Sequence, residues 1–134
     1  MNVLVISFGG RSGGNCNSIS DFIAQYNEPE CTVFRFSEQK IHPCGGCRYE
    51  CFGKEPCPYL ADPEYELLES ICQSDLTYFV IPNYCDYPCA NYFIFKERSQ
   101  CFFREGRSAW MSSYGYGKSS SWSAIPIRKT SGRY

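Results

Sequence analysis

The chain lacks any run approaching the roughly eighteen apolar residues of a membrane span. It also lacks an excess of either charge: 13 Lys and Arg face 14 Asp and Glu, a formal net of −1. Neither nucleic acid nor an anionic membrane is therefore an implied partner. No basic segment precedes the short apolar run Val3-Leu4-Val5-Ile6, which begins almost at Met1. That run reads as a first strand rather than a signal peptide, and the expectation is a cytosolic protein. At 134 residues there is length for one domain with a sizeable core and not for two. Histidine is nearly absent, and the single His42, just before Pro43, reads as a surface residue. Cysteine, by contrast, is plentiful. Ten are present, four of them between Cys44 and Cys57 and none after Cys101. Without a secretory signal they read as thiols, metal ligands or cluster ligands rather than as a disulfide scaffold.

What is there has the order of an α/β domain. Val3–Ile6 is a continuous aliphatic run, the mark of a strand buried on both faces of a parallel sheet. A glycine-rich loop, Ser7 to Asn15, follows. Cys16 to Tyr26 then spaces Ile19, Phe22, Ile23 and Tyr26 for one helical face, with Asn15 or Asn17 as a suitable cap. Thr32–Phe36 is a second strand, and 45–58 is rich in cysteine and turns. Asp62 to Gln73 reads as a helix, with Asp62 as cap, Pro63 in the first turn, and Tyr65, Leu67, Leu68 and Ile71 on its apolar face. Leu76–Ile81 is a third strand stopped by Pro82. Cys89 to Arg98 starts a third helix that buries Tyr92, Phe93 and Phe95. The order β-α-β-α-β-α predicts a doubly wound parallel sheet.

Three segments carry chemistry. A buried strand, a glycine turn and a helix N-terminus make an anion site, because backbone N–H groups converge where the helix dipole favours negative charge. Ser7, Arg11, Ser12 and Asn15 add side-chain donors. The loop is neither Gly-x-x-x-x-Gly-Lys-Ser/Thr nor Gly-x-Gly-x-x-Gly. Its plain alternative is a surface loop without a ligand. Pro82-Asn83-Tyr84-Cys85-Asp86-Tyr87-Pro88 lies past the carboxyl end of a strand, where open α/β sheets bind ligands. Its alternative is a connecting loop with half-buried tyrosines. Cys44-x2-Cys47-x3-Cys51-x5-Cys57 packs four soft ligands closely enough for an iron–sulfur cluster or zinc, or leaves four free thiols. Cys85 and Cys89 are a further pair, either a redox disulfide or two small buried hydrophobes.

The loop from Ser7 to Asn15, with Asn17 and Ser18 after it, resembles the phosphate loop of the NADPH-dependent FMN reductase and iron–sulfur flavoprotein superfamily. That loop reads Gly-Ser-x-Arg-x-x-Gly-Asn-Ser/Thr. Arg11, Gly14 and Asn15 match in place, Phe8 and Gly9 depart from the opening pair, and Cys16 replaces the final hydroxyl residue. Pro82-Asn83-Tyr84 matches the superfamily's Pro-x-Tyr loop, and Lys96-Glu97-Arg98 matches its next helix loosely. The resemblance covers about 1–103. It implies a flavodoxin-like sheet in the order 2-1-3-4-5 and an FMN cofactor. The phosphate would be held by Ser7, Arg11, Ser12, Gly14, Asn15, Asn17 and Ser18. The flavin ring would lie against Pro82, Asn83, Tyr84 and Tyr87. A [4Fe–4S] cluster would sit on Cys44, Cys47, Cys51 and Cys57, although the middle gap is one residue longer than the superfamily's usual spacing. The implied activity is electron transfer between a nicotinamide cofactor, FMN and an acceptor, in a homodimer. The rival is a small iron–sulfur or zinc module for electron transfer or interaction, without flavin.

From about residue 104 onward no helical or strand period continues, and only Ala124–Ile127 is locally apolar. The composition predicts a disordered tail. Three strands precede Phe103 where five are expected, so the sheet reads as incomplete. Read one base out of frame, the codons of Ser121 to Pro126 permit Val-Val-Ser-Asn-Thr, resembling the superfamily's fourth strand. The expectation is a frameshift after about Phe103 that leaves the outer edge of the third strand unpaired and FMN binding weak or absent.

Overall fold

The computed structural model describes residues 1–52, 57–102 and 127–128. In chain order the elements are β1 (Val3–Ser7), α1 (Asn15–Tyr26), β2 (Cys31–Arg35), a 3₁₀ turn (Glu50–Phe52), α2 (Glu64–Gln73), β3 (Leu76–Val80), β4 (Asn83–Tyr84), β5 (Tyr87–Pro88), α3 (Ala90–Phe102) and β6 (Ile127–Arg128). All five residues of β1 are buried. That is where a strand of Val, Leu and Ile belongs, at the centre of a sheet covered on both faces. β2 and β3 pair with it in parallel on either side, Val5 lying opposite both Val33 and Tyr78. The result is a three-stranded parallel α/β core in the order β2-β1-β3.

Side chains alternate across a strand, so this register sorts the residues into two faces. Leu4, Ile6, Phe34 and Phe79 share one, and α2 and α3 cover it. There Leu4, Ile6, Phe8, Phe34, Phe36 and Ile41 pack with Leu67, Leu68 and Ile71 of α2 and Phe95 of α3. Phe8 is the hub. Its ring stacks on Phe36 at 4.9 Å and on Phe79 at 5.9 Å, and meets Tyr92 and Phe95 edge-on at 5.5 Å.

The opposite face, with Val3, Val5 and Ser7, lies under α1, and here the expectation of an apolar helix face is corrected. Asn17 and Ser20 are the buried residues of α1, whereas Ile19, Phe22 and Tyr26 are exposed. Polar ties, rather than the apolar stripe, orient the helix. The Ser7 hydroxyl donates to Asn17 Oδ1 at 2.7 Å, and Arg35 of β2 pairs with Asp21. The cap also differs. Gly14 precedes the helix with no side-chain cap, Asn15 is its first residue, and Asn17 is drawn inward.

α2 begins two residues later than its sequence pattern suggests, because the Asp62 carboxylate receives the Glu64 N–H from outside the helix. α3 is longer than expected, and of its aromatics Phe95 is buried, Tyr92 half-buried and Phe93 exposed. The loop after β3 holds a two-strand hairpin whose turn residues, Cys85 and Asp86, have φ of 50° and 67°. The expectation of an unpaired outer edge on β3 is corrected at one end. Arg128 and Ile127 pair antiparallel with Leu76 and Thr77. The tail expectations for 104–126 and 129–134 lie outside the described residues. No helix among the described residues is long and apolar enough to cross a membrane.

Candidate functional site

β1 and β3 run parallel, so the loops that follow them emerge at the same edge of the sheet. The first loop is a β-turn closed by Gly14 N–H donating to the Arg11 carbonyl at 3.2 Å. Gly13 takes its left-handed third position, φ 73°, where a side chain would be strained. Asn17 fastens the loop from beneath by donating to the Arg11 carbonyl at 3.3 Å and to Ser37 Oγ at 3.0 Å. The predicted donors therefore separate into two groups. Ser7 and Asn17 are buried and hold each other, while Arg11, Ser12, Asn15 and Ser18 are exposed on the loop and the first turn of α1. Gly14 lies between, half-buried. The amides of a helix's first turn have no intrahelical acceptor, and no side chain caps α1. The Asn17 N–H already donates to the Gly14 carbonyl at 2.9 Å, so an anion would meet the N–H groups of Asn15 and Cys16 and the positive end of the dipole there.

The second loop leans on the first. Asn91 Nδ2 donates to the Phe8 carbonyl at 3.0 Å, and the Cys89 thiol donates to the same oxygen at 3.3 Å. Beyond this junction the β4–β5 hairpin presents Asn83, Tyr84 and Tyr87 to solvent, the tyrosines 57% and 69% exposed, with Pro82 half-buried behind them. The structure thus ties the two predicted loops together through Phe8, Cys89 and Asn91, residues not singled out as contacts from the sequence. A trace was visible at Phe8, the departure from the superfamily's loop opening. Cys85 and Cys89 do not share an environment. Cys85 is exposed at the hairpin turn and Cys89 is buried.

A second locus lies under the 42–62 segment. Cys44, Cys47, Cys51 and Cys57 line one pocket of about 330 Å³ together with Tyr59 and Arg98. All four thiols are free, and no group of three or more ligand side chains among the described residues is placed to hold a metal ion. Burial of its sulfur, with Cys47, Cys51 and Glu97 adding and Arg98 opposing, pushes the Cys44 thiol up, which favours its protonated form.

Arg98 anchors this region from α3. Only 1% exposed, it donates to both Asp62 oxygens, at 2.6 and 3.2 Å, and to the carbonyls of His42 at 2.7 Å and Tyr59 at 3.2 Å. Burial draws the Asp62 carboxyl upward, but Arg98 and the N–H groups of His42 and Glu64 outweigh it and hold it below the usual range. Glu64 is fully buried, and neither carboxylate oxygen has a hydrogen-bond partner. Burial pushes it up to about 8, with Arg98 opposing and Asp62 adding. The His42 ring is exposed, as expected, and stacks on Tyr59 at 3.7 Å.

The chain matches no family model, no curated protein and no solved structure.

Proposed function

We propose that the chain is a flavodoxin-like FMN-binding domain that passes electrons between a nicotinamide cofactor and an acceptor. The observation that carries this reading is the N-terminus of α1, which no side chain caps, with exposed hydrogen-bond donors around it, Arg11 and Ser12 on the loop and Asn15 and Ser18 in the first turn of the helix. That arrangement suits a terminal phosphate. The exposed hairpin with Asn83, Tyr84 and Tyr87, at the same sheet edge, offers aromatic faces and an amide suited to a planar ring. The strand order 2-1-3 agrees with the first half of a flavodoxin-like sheet. When bound, FMN supplies the hydride and single-electron chemistry, and the residues named here bind and orient it. Titrating the purified chain with FMN while following flavin fluorescence tests the reading. Weak quenching is expected, and the double substitution Arg11→Ala with Asn15→Ala should weaken binding about tenfold or more, since each charged or amide contact contributes about 1 kcal/mol or more. Equal affinity in the double variant removes the loop from the site. No quenching up to about 100 μM FMN ends the flavin reading, since that is weaker than about −5.5 kcal/mol.

A second reading, a cysteine-based electron-transfer or interaction module, rests on four cysteines sharing one pocket. Metal analysis of anaerobically purified protein separates the two. Stoichiometric iron with sulfide, or zinc, lost on Cys47→Ser, supports the module, and a metal-free protein ends it.

A further inference from the structure

We propose that Cys16 and Cys89 form a reversible disulfide that clamps the loop after β1 to the head of α3. Both side chains border the same peptide unit. A Cβ placed on Gly9 would lie 3.0 Å from Cys16 Cβ and 3.6 Å from Cys16 Sγ, and the Cys89 sulfur lies 3.3 Å from the Phe8 carbonyl oxygen. One thiol comes from the first turn of α1 and the other from the residue before α3, so two separate elements converge on Phe8–Gly9. Glycine at position 9 keeps open the space beside Cys16 that any side chain would fill. Burial first and the neighbouring Cys89 second push the Cys16 thiol up. Cys85, nearest to Cys89 in sequence, is exposed at the hairpin tip while Cys89 is 7% exposed and turned inward. Cys16, half-buried, is the accessible member of the pair.

The chemistry needs a small-molecule disulfide such as glutathione disulfide as oxidant. The Cys16 thiolate attacks one sulfur, a bond to glutathione forms, and the first glutathione leaves as its thiolate. The Cys89 thiolate then displaces the second glutathione. The protein loses two electrons and two protons, and glutathione disulfide becomes two glutathiones. Cys89 gives up its hydrogen bond to the Phe8 carbonyl in this step, but that oxygen keeps Asn91 Nδ2 at 3.0 Å and is not orphaned. The bond fixes the N-terminus of α1 against the loop after β3, the two lips of the candidate site. It does so whatever ligand the site takes.

The test equilibrates the reduced full chain in glutathione buffers of rising oxidised fraction, then acid-quenches, alkylates and maps its peptides by mass spectrometry. The expected result is a linked Cys16–Cys89 peptide that forms on oxidation and reverts on reduction. It should vanish in Cys16→Ser and in Cys89→Ser and persist in Cys85→Ser. The wild-type map decides even if a serine variant fails to fold. The proposal is overturned if Cys16 and Cys89 are both alkylated at the oxidising limit. It is also overturned if Cys89 is linked to Cys85, or if Cys16 carries only glutathione.

Discussion

The two faces of the sheet are built on different physics. Under α2 and α3 lies a close-packed apolar core centred on Phe8, with a ring on every side of it. Under α1, Val3 and Val5 are buried as well, but the helix is tied by short polar contacts, Ser7 to Asn17 and Asn17 to Ser37, while Phe22 and Tyr26 face solvent. The first face supplies burial, which is large and non-directional. The second supplies direction, since hydrogen bonds contribute little net stability but fix geometry. A loop required to hold its amides in one arrangement gains more from the second kind of support.

The largest effect that would break this contrast is at Phe8. Phe8→Ala should cost about 3–5 kcal/mol in urea unfolding, as buried aromatic truncations do. A cost below about 1 kcal/mol would mean that the apolar face is not the main support.

Next comes Glu64, the uncompensated polar group beside that core. In the unfolded chain it titrates at its ordinary 4.5, and in the folded chain at about 8. Between these values the unfolded state has lost a proton that the folded state keeps. Stability should therefore fall as pH rises across this window, by about 1.4 kcal/mol per pH unit, and level off above it. Asp62, held low, acts in the opposite sense and only under acid conditions, losing its contribution as pH falls below its ordinary 3.8. Glu64→Gln should flatten the slope between about pH 5 and pH 8 in urea titrations. An unchanged slope would show that Glu64 is not its source.

On the polar face, Asn17→Ala should cost about 1–3 kcal/mol, because it leaves the Ser7 hydroxyl buried without its acceptor. Its amide exchange should quicken at Gly14 and along the loop more than in β1, and uniform quickening would argue against a local positioning role. The smallest effect belongs to Phe22→Ser, within about 0.5 kcal/mol, as for other exposed positions. A loss comparable to Phe8→Ala would erase the distinction between the faces.

How much of this was legible follows from where the signals lie. The three parallel strands are written in local runs, and all were found to within a residue or two. The orientation of α1 was misread because Ile19, Phe22 and Tyr26 have helical spacing, but the helix is set by Ser7 and Arg35, on two strands at different distances along the chain. The β4–β5 hairpin was hidden because its turn uses Cys85 and Asp86 in left-handed conformations instead of the usual Asn-Gly. At the site, the exposed donors were readable from the glycine pattern. The Phe8–Asn91 contact was not, since it joins residues far apart in sequence. The Asp62, Glu64 and Arg98 group escaped for the same reason. Only Ala124–Ile127 hinted at β6, and nothing local gives its antiparallel pairing with β3.

Arg98 holds the carbonyls of both His42 and Tyr59, the two ends of the cysteine-bearing segment. One side chain therefore draws a long excursion shut at its neck. The entropy of closing such a loop depends on the logarithm of its length, so one residue more or fewer between the ends changes it by less than about 0.1 kcal/mol. A one-residue change of length between Cys47 and Cys51 is accordingly one the rest of the domain need not register. Losing Arg98 would remove one tie at that neck and leave two others between β2 and α2, the His42–Tyr59 stack and the bond from the His42 N–H to the Asp62 carboxylate.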